Sequence, residues 1–473
     1  MGMPGRPRNP PQSARLLPYN LSLLLEIEKL IYSGDGLARV PVEGTLAPNE
    51  TPDSRHAQSR GKAVFIPFTL EGEQVEATIT EQKSGFARAQ LDRVLRPSPE
   101  RIAPSCPHFQ QCGGCQYQHI RYEHQLAAKT SILEETLRRQ ARIELDRKVT
   151  VHAAEPWQYR NRSRFQVRTS PEFAAGYLRF ASHVVLPVEQ CPISSPLINR
   201  ALQALWDAGR SGQIPADLRE IEFFSNAGES RLLAELWFSS STPQPKRIQL
   251  GELLTSRLRD RLPDLTGSYV FAQLPTRSAQ PATEPAPDWA LGGGEFRYAV
   301  AGTDLRVSGG SFFQVNRFLL EKLAELVTVN RQGNLALDLY AGVGLFTVAL
   351  AKSFRHILAV ESSQSSAADL KYNSPENAKV VRTTVEQFLA SKTRHGKPDF
   401  IVVDPPRAGL GDRVARELAR SDAPRLTYVS CDPTTLARDL VPLRTGGYRI
   451  ESVHLVDLFP QTFHLETIVE LAR

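Results

Sequence analysis

Two short apolar runs in the C-terminal third constrain the fold more than anything else in the chain. Phe400-Ile401-Val402-Val403 runs into Asp404-Pro405-Pro406-Arg407, and Leu426-Thr427-Tyr428-Val429-Ser430 runs into Cys431-Asp432-Pro433. Each is an apolar, β-branched stretch of strand length that stops at a proline-bearing turn, which reads as a buried strand handing over to a helix. An aspartate and a thiol therefore arrive at neighbouring strand ends, the edge where α/β sheets place their chemistry. The rhythm holds from Ser311 onward. Phe312 to Asn316 leads into an apolar helix reaching about Val329, and strand-helix pairs begin near Leu335, Ile357, Val380, Phe400 and Leu426. A last strand pair covers about 450–455 and 466–471. This order predicts a doubly wound, mostly parallel sheet.

A chain of 473 residues, 41% of them hydrophobic, has apolar material for two or three domains. No apolar run reaches the roughly 20 residues of a membrane span. Met1 to Arg15 is rich in Pro and Arg without an apolar run, so the expectation is a cytoplasmic, monomeric protein without a membrane partner. The formal net charge of +6 suits a polyanion, though charge alone supports only non-specific attraction. Pattern changes along the chain suggest a basic tail over 1–16, a barrel over 17–96, a central α+β region over 97–310 and the strand-helix region over 311–473.

Short alternating strands with turn signals fill Leu21 to Leu95, the pattern of a small antiparallel barrel, with 49–60 as a polar loop. Next come Cys106, Cys112 and Cys115 in a C-x5-C-x2-C group, while Cys191 stands alone before a proline. Five cysteines, an odd number without a signal peptide, argue against a disulfide scaffold. Four plus one is the arithmetic of a cluster and a nucleophile. Three thiolates from one loop and a fourth from afar suit a four-iron cluster, one thiolate per iron. Zinc is the alternative, with His108 and His119 nearby. A helix is expected over 117–142, with Leu126, Ile132, Leu133 and Leu137 on one side. After it, Trp157 to Arg168 alternates arginines with other residues and interleaves aromatics, so Arg160 and Arg162 are candidates for phosphate contact on RNA. The segment 275–287 reads as a Pro/Ala-rich loop.

In the strand-helix region Leu337 to Phe346 is an apolar strand running into Gly342 and Gly344, then a helix. Such a turn lets a cofactor approach the backbone, and an acid ending the next strand, Glu361, can accept from ribose hydroxyls. The third glycine of the dinucleotide fingerprint is missing, which favours S-adenosylmethionine over a nicotinamide cofactor. Asp338, Tyr340, Glu361 and Asp404 fall at successive strand ends.

Gly34-Asp35-Gly36-Leu37-Ala38 followed by Phe65-Ile66-Pro67 resembles a TRAM domain, an OB-like barrel found in RNA-modifying enzymes. Asp404-Pro405-Pro406-Arg407-Ala408-Gly409, Tyr428-Val429-Ser430-Cys431 and Asp457-Leu458-Phe459-Pro460-Gln461-Thr462-Phe463-His464-Leu465-Glu466 together resemble the RNA uracil-C5 methyltransferases, in the branch that carries a TRAM domain and an iron-sulfur cluster. The resemblance spans nearly the whole chain. Asp432 stands where many members have Asn, and Tyr340 where many have Phe. It implies a C-terminal adenosylmethionine-dependent methyltransferase fold and RNA as partner, 23S ribosomal RNA ahead of transfer RNA. It further implies a [4Fe-4S] cluster on Cys106, Cys112, Cys115 and Cys191, with Cys431 as nucleophile and Glu466 as base. Gln314 and Asp404 are expected to contact the uracil edge or the cofactor. A catalytically idle RNA-binding factor of the same fold is the reading from another class, and intact Cys431 and Glu466 speak against it.

Overall fold

The computed structural model describes residues 22–40, 61–273, 286–292, 296–391 and 396–473. The basic tail, the 49–60 loop and all but the last two residues of the 275–287 loop lie outside them. The described residues form two compact units, one within Met1–Ala103 with His119–Arg121 and one within Pro104–Gln118 and Tyr122–Arg473. No helix among them is long and apolar enough to cross a membrane.

The smaller unit is a six-stranded sheet in the order Ser22–Glu26, Gln74–Gln82, Phe86–Arg96, Lys62–Pro67, Asp35–Val40, Lys29–Leu30. Period-two alternation drives it: Val75, Ala77 and Ile79 point into a core with Val64, Ile66 and Ala38, while Glu76 and Thr78 face out. Gly36 is required by space, since a Cβ there would lie 2.1 Å from Thr69 Oγ1. The buried Glu73 carboxylate is met by the Arg101 guanidinium at 2.5 and 2.7 Å.

The larger unit holds two sheets. One has seven strands in the order Val185–Pro187, Ala174–Leu178, Arg162–Arg168, Leu218–Ser225, Leu232–Phe238, Leu265–Ala272, Trp289–Leu291. One core, around Phe165, Phe223, Leu236 and Phe238, takes apolar residues from helices Pro196–Arg210 and Gln244–Arg259, whereas Phe224, Trp237 and Phe271 join a second core with Phe296, Tyr298 and Phe313. Leu232–Phe238 is buried at all seven positions, as a strand enclosed on both faces must be.

The second sheet has eight strands in the order Ala378–Arg382, Phe354–Glu361, Gly333–Leu339, Phe400–Val403, Arg425–Ser430, Thr467–Ala472, Arg449–Val456, Thr150–His152. The first five are mutually parallel, and Thr467–Ala472 runs antiparallel to both of its neighbours. This is the doubly wound sheet expected from the sequence, with one addition from outside 311–473: Thr150–His152 pairs in parallel with Arg449–Val456. The helix expected over 117–142 starts only at Tyr122. Gln116 and Tyr117 instead direct their backbone N–H groups to the carbonyl of Gln461, at 3.1 and 2.9 Å.

Candidate active site

The site is built at the carboxyl ends of the parallel strands. Val403 pairs with Tyr428, and Ser430 with Thr467 in an antiparallel ladder. Cys431 follows Ser430 and Glu466 precedes Thr467, so thiol and carboxyl leave adjoining strand ends, with Asp404 following the strand alongside. Asp432 then caps the next helix, its Oδ1 accepting the Thr434 and Thr435 N–H groups at 2.8 and 3.0 Å. Three acids thus share a space largely withdrawn from water. Burial pushes the Cys431 thiol up to about 12, and the Glu466 and Asp404 carboxyls add to the effect. Glu466 is raised well above the usual carboxylate range by burial first and Asp404 second. Arg407 opposes both shifts. Its Nη2 lies 3.5 Å from His464 Nδ1, and burial followed by the Arg407 charge lowers His464 to about 4, keeping the ring neutral.

Beside this cluster lies a cradle. Asp338 is fully buried, with Oδ2 accepting from Thr347 Oγ1 at 2.5 Å and Oδ1 left without a partner. Burial raises its pKa to about 7. Tyr340, Gly342 and Gly344 all have positive φ, at 64°, 56° and 101°, so the loop turns sharply away from the strand. The space in front of Gly342 is open, whereas a Cβ on Gly344 would meet Leu370 at 2.9 Å. Glu361, ending the next strand, accepts from the N–H groups of Gly342 and Ser363 at 2.9 and 2.7 Å. An unpaired buried acceptor, an open glycine and a second carboxylate fit an adenosyl ligand that brings its own donors. Gln314 is buried, its backbone carbonyl accepting from Asn161 Nδ2 at 3.4 Å.

Sequence reasoning gave no such role to the residues that hold 457–461, and placed Tyr159 among aromatics of an RNA-facing strand. Lys129 Nζ donates to Asp457 Oδ1 at 2.6 Å and to the Phe459 carbonyl at 3.0 Å. Tyr122 OH donates to Asp457 Oδ2 at 2.9 Å, and Tyr159 OH to the Pro460 carbonyl at 3.1 Å. A signal for Lys129 existed: it lies three residues after Leu126 and four before Leu133, on the apolar side of its helix.

The other four cysteines line one small cavity of about 70 Å³ with His108, Gln118, Arg160 and Gln190. Cys115 and Cys191 are buried. Burial raises Cys112 to about 11, with smaller contributions from Cys191 and Cys106. Among the described residues no three His, Cys, Asp or Glu side chains already stand together as a metal-ion site. His119, offered for a zinc site, is in the smaller unit, its Nε2 3.4 Å from the Thr69 carbonyl.

The arginine strand requires a correction. Arg162 is not turned to solvent: it pairs with Glu222 and, at 2.9 Å, with Glu235, and donates to the Ser311 carbonyl at 2.6 Å. Arg160 lines the cysteine cavity, with its Nε buried and lacking a hydrogen-bond partner. Alternation was read correctly, but the face carrying these arginines meets buried glutamates and thiols. Phosphate contact is not a role for side chains so enclosed.

Comparison with known proteins agrees with this architecture. Residues 297–473 match the model of the tRNA (uracil-5-)-methyltransferase family, and residues 23–91 that of the TRAM domain. The chain is 34% identical over 429 residues to the 23S rRNA (uracil(1939)-C(5))-methyltransferase RlmD of Pectobacterium atrosepticum, covering 87% of this chain and 89% of that protein. It is 32% identical over 456 residues to an uncharacterized RNA methyltransferase of Aquifex aeolicus, covering 95% and 98%. Its fold matches that of the Pyrococcus abyssi tRNA (uracil-54, C5)-methyltransferase, solved with S-adenosyl-L-homocysteine, with a TM-score of 0.68 at 22% identity over 95% of this chain and all of the other. Fold, cradle and extensive similarity to RlmD lead to one assignment: this chain belongs to the RNA uracil-C5 methyltransferase family.

Proposed function

We propose that the protein methylates carbon 5 of a uridine in 23S ribosomal RNA by way of a covalent bond between Cys431 and carbon 6. The observation that carries this reading is that a thiol and a carboxylic acid leave adjoining strand ends, Cys431 after Ser430 and Glu466 before its partner Thr467, with the Glu466 and Asp404 carboxyls both acting on the Cys431 thiol. Carbon 5 of uracil is a weak nucleophile. Cys431, losing its thiol proton to solvent as it adds to carbon 6, pushes the ring electrons toward carbon 5. S-Adenosylmethionine would be held by Asp338, Tyr340, Gly342, Gly344 and Glu361, with Gln314 and Asp404 beside it, and would supply the methyl group that carbon 5 takes, S-adenosylhomocysteine being the other product. The ionised Glu466 carboxylate then takes the proton from carbon 5, the ring double bond re-forms, and the carbon–sulfur bond breaks with its electron pair returning to Cys431. Burial favours the protonated form of Glu466 at rest, so it must release that proton to solvent before it acts, and once ionised it is a strong base for a carboxylate. The target base must leave its stack to reach such a site. Ribosomal RNA is favoured over transfer RNA because the extensive relatives at 30–34% identity include RlmD proteins.

Glu466→Gln should trap a methylated protein–RNA adduct that survives denaturing electrophoresis, and Cys431→Ala should give neither adduct nor product. Normal turnover by Glu466→Gln would assign the base elsewhere, and methylation by Cys431→Ala would end the covalent mechanism.

The four remaining cysteines fit an inorganic cluster, because four thiols and a buried Arg160 N–H without a partner converge on one void. A four-iron core on Cys106, Cys112, Cys115 and Cys191 would fasten the 106–115 loop to the chain around Cys191. Anaerobic iron and sulfide analysis tests this, and stoichiometric zinc without acid-labile sulfide would replace the cluster with a zinc site.

A further inference from the structure

The segment that leads to Glu466 has a latch. Gln461 is buried, has φ +67°, and so holds a left-handed conformation that non-glycine residues adopt only when their surroundings impose it. Its surroundings do so fully. The Gln461 N–H donates to Gln125 Oε1 at 3.0 Å, and Gln125 Nε2 donates back to Gln461 Oε1 at 3.0 Å. Gln125 Nε2 also reaches the Tyr117 carbonyl at 3.1 Å. The Gln461 carbonyl accepts from both Gln116 and Tyr117, immediately after Cys115. One glutamine side chain on helix Tyr122–Ala141 thus ties together a turn of the cysteine loop and the strained residue five positions before Glu466.

We propose that Gln125 and Gln461 are a positioning pair that sets where the Glu466 carboxylate stands, and that they act on proton removal from carbon 5 and release of the sulfur, leaving sulfur attack largely untouched. The selectivity follows from connectivity. Cys431 follows strand Arg425–Ser430, and the next residue, Asp432, is anchored within its own element by capping Thr434 and Thr435. Glu466 ends the latched segment, just before its strand begins at Thr467. A displacement there moves the base and not the nucleophile, and displacements of about 1 Å can cost a hundredfold in rate. The inference rests on the reading of Glu466 as base.

Gln125→Leu and Gln461→Gly test it. The second variant removes the side-chain latch while keeping the carbonyl that Gln116 and Tyr117 use, at a φ that glycine adopts readily, so folding is preserved. Single-turnover reactions with RNA and labelled methyl donor give the rate at which the denaturation-resistant adduct forms and the rate at which it decays. Decay should slow on the order of tenfold or more in both variants, with formation within about threefold of wild type. The double variant should decay no more slowly than the slower single one, because Gln125→Leu already removes the contact that Gln461→Gly removes. Unchanged decay in Gln461→Gly, or equal loss of formation and decay, would overturn the proposal. Glu466→Gln run alongside separates the two levels. If it traps adduct while the glutamine variants release normally, only the positioning pair is wrong; if it traps none, the base assignment falls.

Discussion

Removing one partner of the Lys129–Asp457 pair should cost more folding free energy than losing any other single side-chain contact to the 457–466 segment. Both side chains are 0% exposed, the Nζ–Oδ1 separation is 2.6 Å, and Lys129 also serves the Phe459 carbonyl. Two unit charges at that distance attract by about 6 kcal/mol at an effective dielectric near 20, against a desolvation cost of comparable size. The pair itself is therefore close to neutral. Breaking it is not. Lys129→Met fills the lysine's volume but leaves Asp457 buried with one remaining side-chain donor, Tyr122, so the loss should be about 3–5 kcal/mol. Lys129→Met with Asp457→Leu removes both charges and should recover most of it. All four tryptophans, 157, 206, 237 and 289, lie in the larger unit, so urea unfolding followed by tryptophan fluorescence reads the unit in question. A loss below about 1 kcal/mol for the single variant, or a double variant worse than the single, would refute the reasoning.

Two further outcomes are expected. Asp338, raised to about 7 by burial, is favoured as the neutral acid in the fold, so its contribution to stability is complete below the unfolded value near 3.9 and is lost as pH rises through about 7. Urea titrations of cofactor-free protein should show wild type losing stability relative to Asp338→Asn between about pH 4 and 7, by up to about 1.4 kcal/mol per pH unit, and a difference independent of pH would disprove it. Arg162→Ala leaves Glu222 and Glu235 with only the more exposed Arg164 as cation and should destabilise by less than the about 3–5 kcal/mol of a fully broken buried pair, while the salt slope of RNA binding by the folded variant stays as in wild type. A reduced salt slope would return Arg162 to the phosphates.

The sequence made some of this site legible because strand ends are local. An apolar run closed by Asp404-Pro405 or by Cys431-Asp432-Pro433 declares where a side chain emerges, and the glycines after Asp338 declare the cradle. Glu466 carried no such mark: its partnership with Cys431 depends on antiparallel register between strands that are far apart in sequence order, and only the family resemblance pointed to it. Arg160 and Arg162 failed for the same reason in reverse. Their alternation gave the period, but the choice of face was made by Glu222 and Glu235, some 60 and 73 residues away from Arg162. Lys129 was passed over because a lysine on a helix ordinarily faces water, and the buried carboxylate that justifies this one is 328 residues distant.

The edge strand Thr150–His152 has a practical consequence for anyone dividing the gene. An expression fragment beginning at Ser311 would encode every residue of the cradle together with Cys431 and Glu466, yet it would bare the backbone donors and acceptors on the outer side of strand Arg449–Val456 where His454 to Val456 now pair with Thr150–His152. It would also carry Asp457 with neither Lys129 nor Tyr122 to neutralise it. Such a fragment is prone to edge-to-edge association, and a soluble minimal enzyme should start upstream of Tyr122, keeping the helix and the edge strand with the sheet they complete.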